Sequence, residues 1–154
     1  MIFIAHRGNT AGQNLARENH PCYINEALEK GFDAEIDVWY KREKFWLGHD
    51  NPQHEVEEVF LENEKLWCHA KDIETFQRLL QNDKIHCFFH QEDDVTLTSR
   101  KIMWTFPGCQ LTDSSICVMP ERVNQAYNDI MGALGICSDF IGDYFTATEK
   151  FRNM

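Results

Sequence analysis

Residues 34–50, AEIDVWYKREKFWLGHD, set two acids, Glu35 and Asp37, two positions apart inside an apolar run. On a β-strand that spacing points both carboxylates to one face and Ile36 and Val38 to the other. Two like charges on one buried face repel, and a hard divalent cation with oxygen ligands is the usual partner that makes them tolerable. The polar Lys41, Arg42, Glu43 and Lys44 then read as a turn and Phe45-Trp46-Leu47 as a returning strand. This hairpin would carry Gly48-His49-Asp50 back towards the carboxylates, placing an imidazole beside a metal site. The alternative, a solvated edge strand, is disfavoured by the apolar neighbours.

Around this stretch the chain alternates strand and helix. Ile2 to Ala5 reads as a buried strand ending in His6-Arg7-Gly8, and the polar Asn9 to Asn19 as a loop. A helix is expected from Pro21 to Lys30, stopped by Gly31. After the Ala34 to Tyr40 strand and its hairpin come a short helix over Glu55 to Glu62, with Val56, Val59 and Phe60 inward, and a strand over Leu66 to Lys71. Asp72 caps a helix carrying Ile73, Phe76, Leu79 and Leu80. Further strands are expected at Ile85 to Phe89, Lys101 to Thr105, Ser115 to Met119 and Gly135 to Phe140. A helix carries Val123, Ala126, Tyr127 and Ile130, and a last one starts near Asp143. This alternation predicts an α/β fold with a parallel sheet, closed or nearly so. A full eight-unit barrel takes about 250 residues, so a chain of 154 predicts one domain, a compact TIM-type (β/α) barrel with shortened or missing units.

Ionisable residues collect at the C-terminal ends of four consecutive strands: His6 and Arg7, then Glu35 and Asp37, then His69 and Lys71, then His90. Packing alone explains this poorly, whereas barrel active sites form at that mouth. The net charge of −10, with no run of Lys or Arg beyond two residues, argues against nucleic acid as a partner. The six cysteines lack C-x-x-C spacing and sit mostly in apolar runs, which predicts reduced thiols. No apolar run reaches the ~20 residues of a membrane span, and no leader precedes the first strand, so a soluble, cytoplasmic protein is expected.

The pieces Ile4-Ala5-His6-Arg7-Gly8, Glu18-Asn19, Gly31-Phe32-Asp33 leading into Glu35-Ile36-Asp37-Val38, and Gly48-His49-Asp50 resemble, in order and spacing, the glycerophosphodiester phosphodiesterases and related phosphatidylinositol-phosphodiesterase-like barrels. Cys68-His69-Ala70-Lys71 is similar to the family's strand with a metal-binding Glu two residues before a Lys, with His69 in the place of that Glu. Gly135 to Asp139 is similar to its final strand. The resemblance implies a divalent metal on Glu35 and Asp37, phosphate contacts from Arg7 and Lys71, and His6 and His49 as the acid/base pair. It further implies a small-molecule or lipid-derived phosphodiester as substrate, hence a place in lipid metabolism. In such enzymes a neighbouring hydroxyl attacks phosphorus to give a cyclic phosphate that water then opens.

Physical chemistry supports these roles independently. A diester anion needs charge neutralisation before attack, and a metal, a guanidinium fork and an ammonium can supply it together. Imidazole exchanges protons near neutral pH. Mg²⁺ or Ca²⁺ is expected on the carboxylates, but with His69 as third ligand the site is less negative and softer than an all-acid one, which weakens that preference and leaves room for Mn²⁺ or Zn²⁺. Only some fifteen residues separate Asp50 from Leu66, which predicts an open mouth, with substrate selection left to the His90–Asp94 loop and Trp104.

For several residues two roles stand open. His69 suits a metal or a phosphate, and Arg7 and Lys71 suit a phosphate or structural ion pairs with the acids. Glu18 and Asn19 suit substrate contact or the ordering of their loop. Trp104 suits core or substrate platform, and Asp139 the mouth or a helix cap. Two other functions share the residues: a lyase that stops at the cyclic phosphate in the manner of spider-venom-like phospholipases D, and a non-catalytic metal- or phosphate-binding module.

Overall fold

The computed structural model describes residues 1–152. Its centre is β2 (Asp33–Lys41), which pairs in parallel with β1 (Ile2–His6) and β5 (Leu66–Ala70) along its first half. Its second half turns back antiparallel through β3 (Lys44–Leu47) and on to β4 (His54–Val56). Arg42 and Glu43 hold the turn in left-handed conformations, at φ 54° and 60°, as two-residue hairpin turns demand. On the far side of β1 run the parallel β10 (Gly135–Ser138), β9 (Ser115–Val118) and β8 (Met103–Thr105), with β7 (Val95–Leu97) antiparallel at the edge. β6 (Cys87–Phe88) extends the other side from β5.

The helices follow local signals. α1 (Pro21–Glu29) starts with Pro21 at its first position and His20 accepting the Cys22 N–H. α3 (Ile73–Leu79) is capped by Asp72, whose Oδ1 accepts the Thr75 N–H at 2.8 Å. α2 (Glu58–Leu61) and α4 (Tyr127–Ile130) are single turns, and α5 (Ile141–Arg152) closes the described chain. No helix among the described residues is long and apolar enough to cross a membrane.

The expected TIM-type barrel is not what forms. The ten strands make one mixed sheet curled through 203°, a half-barrel rather than a ring of alternating β/α units. The reason is a shortage of crossover helices. β6 is followed by the edge strand β7, β8 by a helix-free loop, and β9 by only a 3-10 turn at Pro120–Val123 and the short α4. The two ends of the curl touch through the Ser99 N–H, which donates to the Cys87 carbonyl at 2.8 Å, and the Thr96 hydroxyl, which donates to the Phe89 carbonyl at 3.0 Å.

Other expectations shift locally. The helix expected from residue 55 begins at Glu58, because residues 54–56 pair with β3, and Val59 ends up exposed. Of the apolar residues around the helix capped by Asp72, Ile73 and Leu80 are exposed and Leu79 is buried. The helix expected through Val123 and Ala126 is broken by Asn124, left-handed at φ 48°. All six cysteines are free thiols, as expected.

Strand alternation divides the interior. On one face of the sheet Ile24, Ile36, Val38, Leu66 and Leu79 pack in one cluster and Ala5, Ile130, Ile136 and Ile141 in a second beside it, next to each other where Ala5 pairs with Ala34. On the concave face Ile4, Trp67, Phe88, Trp104, Ile116 and Cys137 form an apolar floor. His6, two residues beyond Ile4, and His69, two beyond Trp67, sit one step above it.

Candidate functional site

Strand register assembles the site. His6 is opposite Glu35 across β1–β2, and Asp37 is opposite His69 across β2–β5. Glu35 and Asp37 are buried, so β2 is no solvated edge. Ligand atoms of Glu35, Asp37 and His69 lie within 4.8 Å of one another. His69 Nδ1 is 3.2 Å from Asp37 Oδ1 and 3.7 Å from Glu35 Oε1. Its ring stacks on Phe88 at 5.1 Å and against His90 at 4.7 Å, which fixes the imidazole plane.

The two acids live in opposite electrostatic surroundings. Asp37 Oδ2 accepts from Asn19 Nδ2 at 2.9 Å and sits 3.0 Å from Arg7 Nε, an ion pair whose N–H is not aligned for a hydrogen bond. Asp37 Oδ1 accepts from Lys71 Nζ at 3.1 Å. Burial alone would raise Asp37, but His69, Arg7 and Lys71 outweigh it and hold the carboxyl well below its usual range. Glu35 has no such cation in contact: it accepts the Arg7 backbone N–H at 3.3 Å and lies 3.9 Å from His6 Nε2. Burial, then the Asp37 charge, push it up.

Around them stands a shell of ordered polar groups. His6 Nδ1 is 2.7 Å from Asp139 Oδ1, which also accepts from Asn9 Nδ2 at 2.8 Å. Burial lowers His6, but the Asp139 bond and the Glu35 charge overcome it, and its proton affinity is raised. The same Asn9 amide donates to Glu18 Oε1 at 2.9 Å, and Arg7 Nη1 donates to Glu18 Oε2 at 3.1 Å. Arg7 and Asn19 both adopt left-handed conformations, φ 53° and 61°. Backbone strain of this kind costs roughly 1–3 kcal/mol per residue and persists where the surroundings over-determine it.

His49 arrives by the hairpin, as expected. The Gly48 N–H donates to the Asp37 carbonyl at 3.1 Å, and Trp39 Nε1–H donates to the Gly48 carbonyl at 2.6 Å. His49 is exposed, with Nδ1 2.7 Å from Asp50 Oδ1.

These groups open onto a cavity of about 170 Å³. His6, Arg7, Glu35, His49, His69 and His90 line one side of it, and burial brings His90 down to about 4. Trp104 contributes from the floor, buried against Trp67 and Phe88 and so serving the core as well as the cavity wall. Glu18 does not reach the cavity wall but orders Arg7 and Asn9, and Lys71 is bonded to Asp37.

Two participants were not singled out as site residues by the sequence. Asn9 carried only the weak signal of lying just past His6-Arg7-Gly8. Asp139, read equally as mouth or cap, follows Ser138, which pairs with Ala5 next to His6.

The donor set fits a divalent cation. Glu18, Glu35, Asp37 and Asp139 are four buried acids, and Arg7 and Lys71 are two fixed cations. Counted as ionised, these four acids exceed Arg7, Lys71 and a protonated His6 by one charge, next to an acid without a cation of its own. Comparison with protein-family models, curated proteins and solved structures returns no match to this chain.

Proposed function

We propose that the chain is a metal-dependent phosphodiesterase acting on a diester with a hydroxyl close to phosphorus. The resemblance to glycerophosphodiester phosphodiesterases motivates this reading at the level of the site; the half-barrel does not carry it. The observation that supports it best is the cluster of Glu35, Asp37 and His69, of which Glu35 and His69 line the cavity beside two further imidazoles, each with its Nδ1 on a carboxylate.

Glu35, Asp37 and His69 would hold the cation, which when bound offsets the diester's charge. Arg7 presents its guanidinium to the same cavity. His49, with Nδ1–H on Asp50, has Nε2 free to take the proton from the substrate hydroxyl. That oxygen bonds to phosphorus as the bond to the leaving alcohol breaks. His6, whose proton affinity is raised by the Asp139 bond and the Glu35 charge against the effect of burial, delivers a proton from Nε2 to the departing oxygen. The products are a cyclic phosphodiester and a free alcohol. Water then opens the cycle with the two roles reversed.

The test is turnover of 2-hydroxypropyl 4-nitrophenyl phosphate by chelator-stripped protein and after readdition of Mg²⁺, Ca²⁺, Mn²⁺ or Zn²⁺. The reading expects loss, rescue by at least one metal, and no turnover by His6→Ala or His49→Ala. Chelator-insensitive hydrolysis, or wild-type rates in both variants, contradicts it. Phosphorus NMR of the product separates a lyase, which accumulates the cyclic phosphate, from a hydrolase. A non-catalytic module has one observation in its favour, the four nitrogens already gathered around the Asp37 carboxylate, and it predicts metal or phosphate binding without turnover.

A further inference from the structure

The cavity combines two chemistries. Besides the imidazoles and charged groups its lining includes Trp104, Phe106, Pro107, Val118 and Met119, and Arg122 follows closely on Met119 in the same lining. Arg7 and Lys71 are bonded to acids, but Arg122 has no side-chain partner among the described residues. Its guanidinium is therefore open to a ligand in the cavity that it lines. Asp93, the acid at the rim, acts on His90 instead.

The segment that carries Arg122 is held in place at some cost. It is the 3-10 turn Pro120–Val123, entered through Met119 at φ 46°, ψ 51° and left through Asn124 at φ 48°, ψ 44°. Left-handed residues with side chains persist only where other bonds hold them. Here Met119 N–H donates to the Cys137 carbonyl at 2.7 Å, and Glu121 Oε1 accepts from the Ser138 hydroxyl at 2.8 Å and the Asp139 N–H at 3.3 Å. The turn is thereby tied to the strand that supplies the partner of His6.

We propose that the apolar arm receives the alcohol that leaves, and that this alcohol bears a second anionic group, a carboxylate or phosphate, bound by Arg122. The proposal rests on the phosphodiesterase reading of the same cavity and specifies its substrate class. An apolar wall stacks on a ring or chain, and the guanidinium fork accepts a planar or tetrahedral anion beyond it.

The test compares 2-hydroxypropyl 4-carboxyphenyl phosphate with its 4-carbamoylphenyl counterpart, equal in shape and different by one charge. The proposal expects a KM roughly tenfold lower for the carboxylate, a difference that disappears in Arg122→Gln and survives in part in Arg122→Lys. Equal KM values in the parent protein overturn the proposal and leave the phosphodiesterase reading standing. If neither ester turns over, that reading fails, and calorimetric binding of 4-carboxyphenyl phosphate against 4-carbamoylphenyl phosphate decides the arm. Tighter binding of the carboxylate, lost in Arg122→Gln, supports it, and equal binding overturns it. Should Arg122→Gln fail to fold, the parent comparison and Arg122→Lys decide the same question.

Discussion

Asp139 Oδ1 lies 2.7 Å from His6 Nδ1, joining the end of β10 to the end of the adjacent β1. The carboxylate fixes the imidazole with Nε2 towards the cavity, and the Asn9 amide fixes the carboxylate in turn. Asp139→Asn removes the charge and keeps the shape. We expect kcat to fall by ~10²-fold with little change in KM. Steady-state kinetics check this, and an unchanged kcat would mean that His6 needs no orienting partner.

Glu35 and Asp37 should respond in opposite ways to loss of their charge. Asp37→Asn leaves Arg7 and Lys71 facing a neutral amide, and breaking a buried pair in this way costs about 3–5 kcal/mol. Glu35 is an acid held up by burial and by Asp37, so Glu35→Gln relieves repulsion. Thermal melting without metal should show Asp37→Asn strongly destabilised and Glu35→Gln at or above the parent Tm. Added metal should raise the parent Tm but not that of Glu35→Gln. Equal losses in both variants would refute the asymmetry.

Gly48 delivers His49. Its φ is 152°, and a Cβ there would meet the Asn51 carbonyl oxygen at 2.1 Å, backbone that cannot swing aside. Gly48→Ala should therefore displace the loop, lowering activity at least as far as His49→Ala does while the sheet survives. Circular dichroism and turnover together read this, and full activity would show that the hairpin tip does not position the imidazole.

His86 predicts an acid-labile fold. It is buried against Trp67 at 4.3 Å with Nε2 unpaired, and burial, with Arg100 nearby, brings it down to about 4. Between pH ~6.5 and ~4 the unfolded chain binds a proton that the folded one refuses. This contribution is thus intact above pH ~6.5 and falls with pH, by up to about 1.4 kcal/mol per unit, until it levels below ~4. Urea unfolding across this range should show His86→Phe with a shallower slope than the parent, and parallel slopes would exclude His86 as the cause.

What the sequence revealed follows the reach of each signal. The faces of Glu35, Asp37 and His69 depend on alternation within a strand, and the start of α1 on Pro21, so both were legible locally. The turn that returns His49 was legible for the same reason. Residues 54–56 were not, because the run from Glu55 to Glu62 shows helical spacing and only β3, already in place, offers its first residues a partner. β7 was missed since Val95 and Leu97 are exposed and follow four polar or acidic residues, with nothing local to mark an edge strand. The curl of the sheet depends on which crossovers lack helices, and alternating apolar runs look the same with or without them. Asp139 gained its meaning only from the β1–β10 register.

The most direct measurement is the anomalous difference map of a crystal of the full chain soaked with Mn²⁺. The account predicts one peak about 2.0–2.5 Å from oxygens of Glu35 and Asp37 and a ring nitrogen of His69, within reach of the cavity that His6 and His49 line. No peak at that position, or a peak elsewhere with these three side chains left as they are, would contradict it.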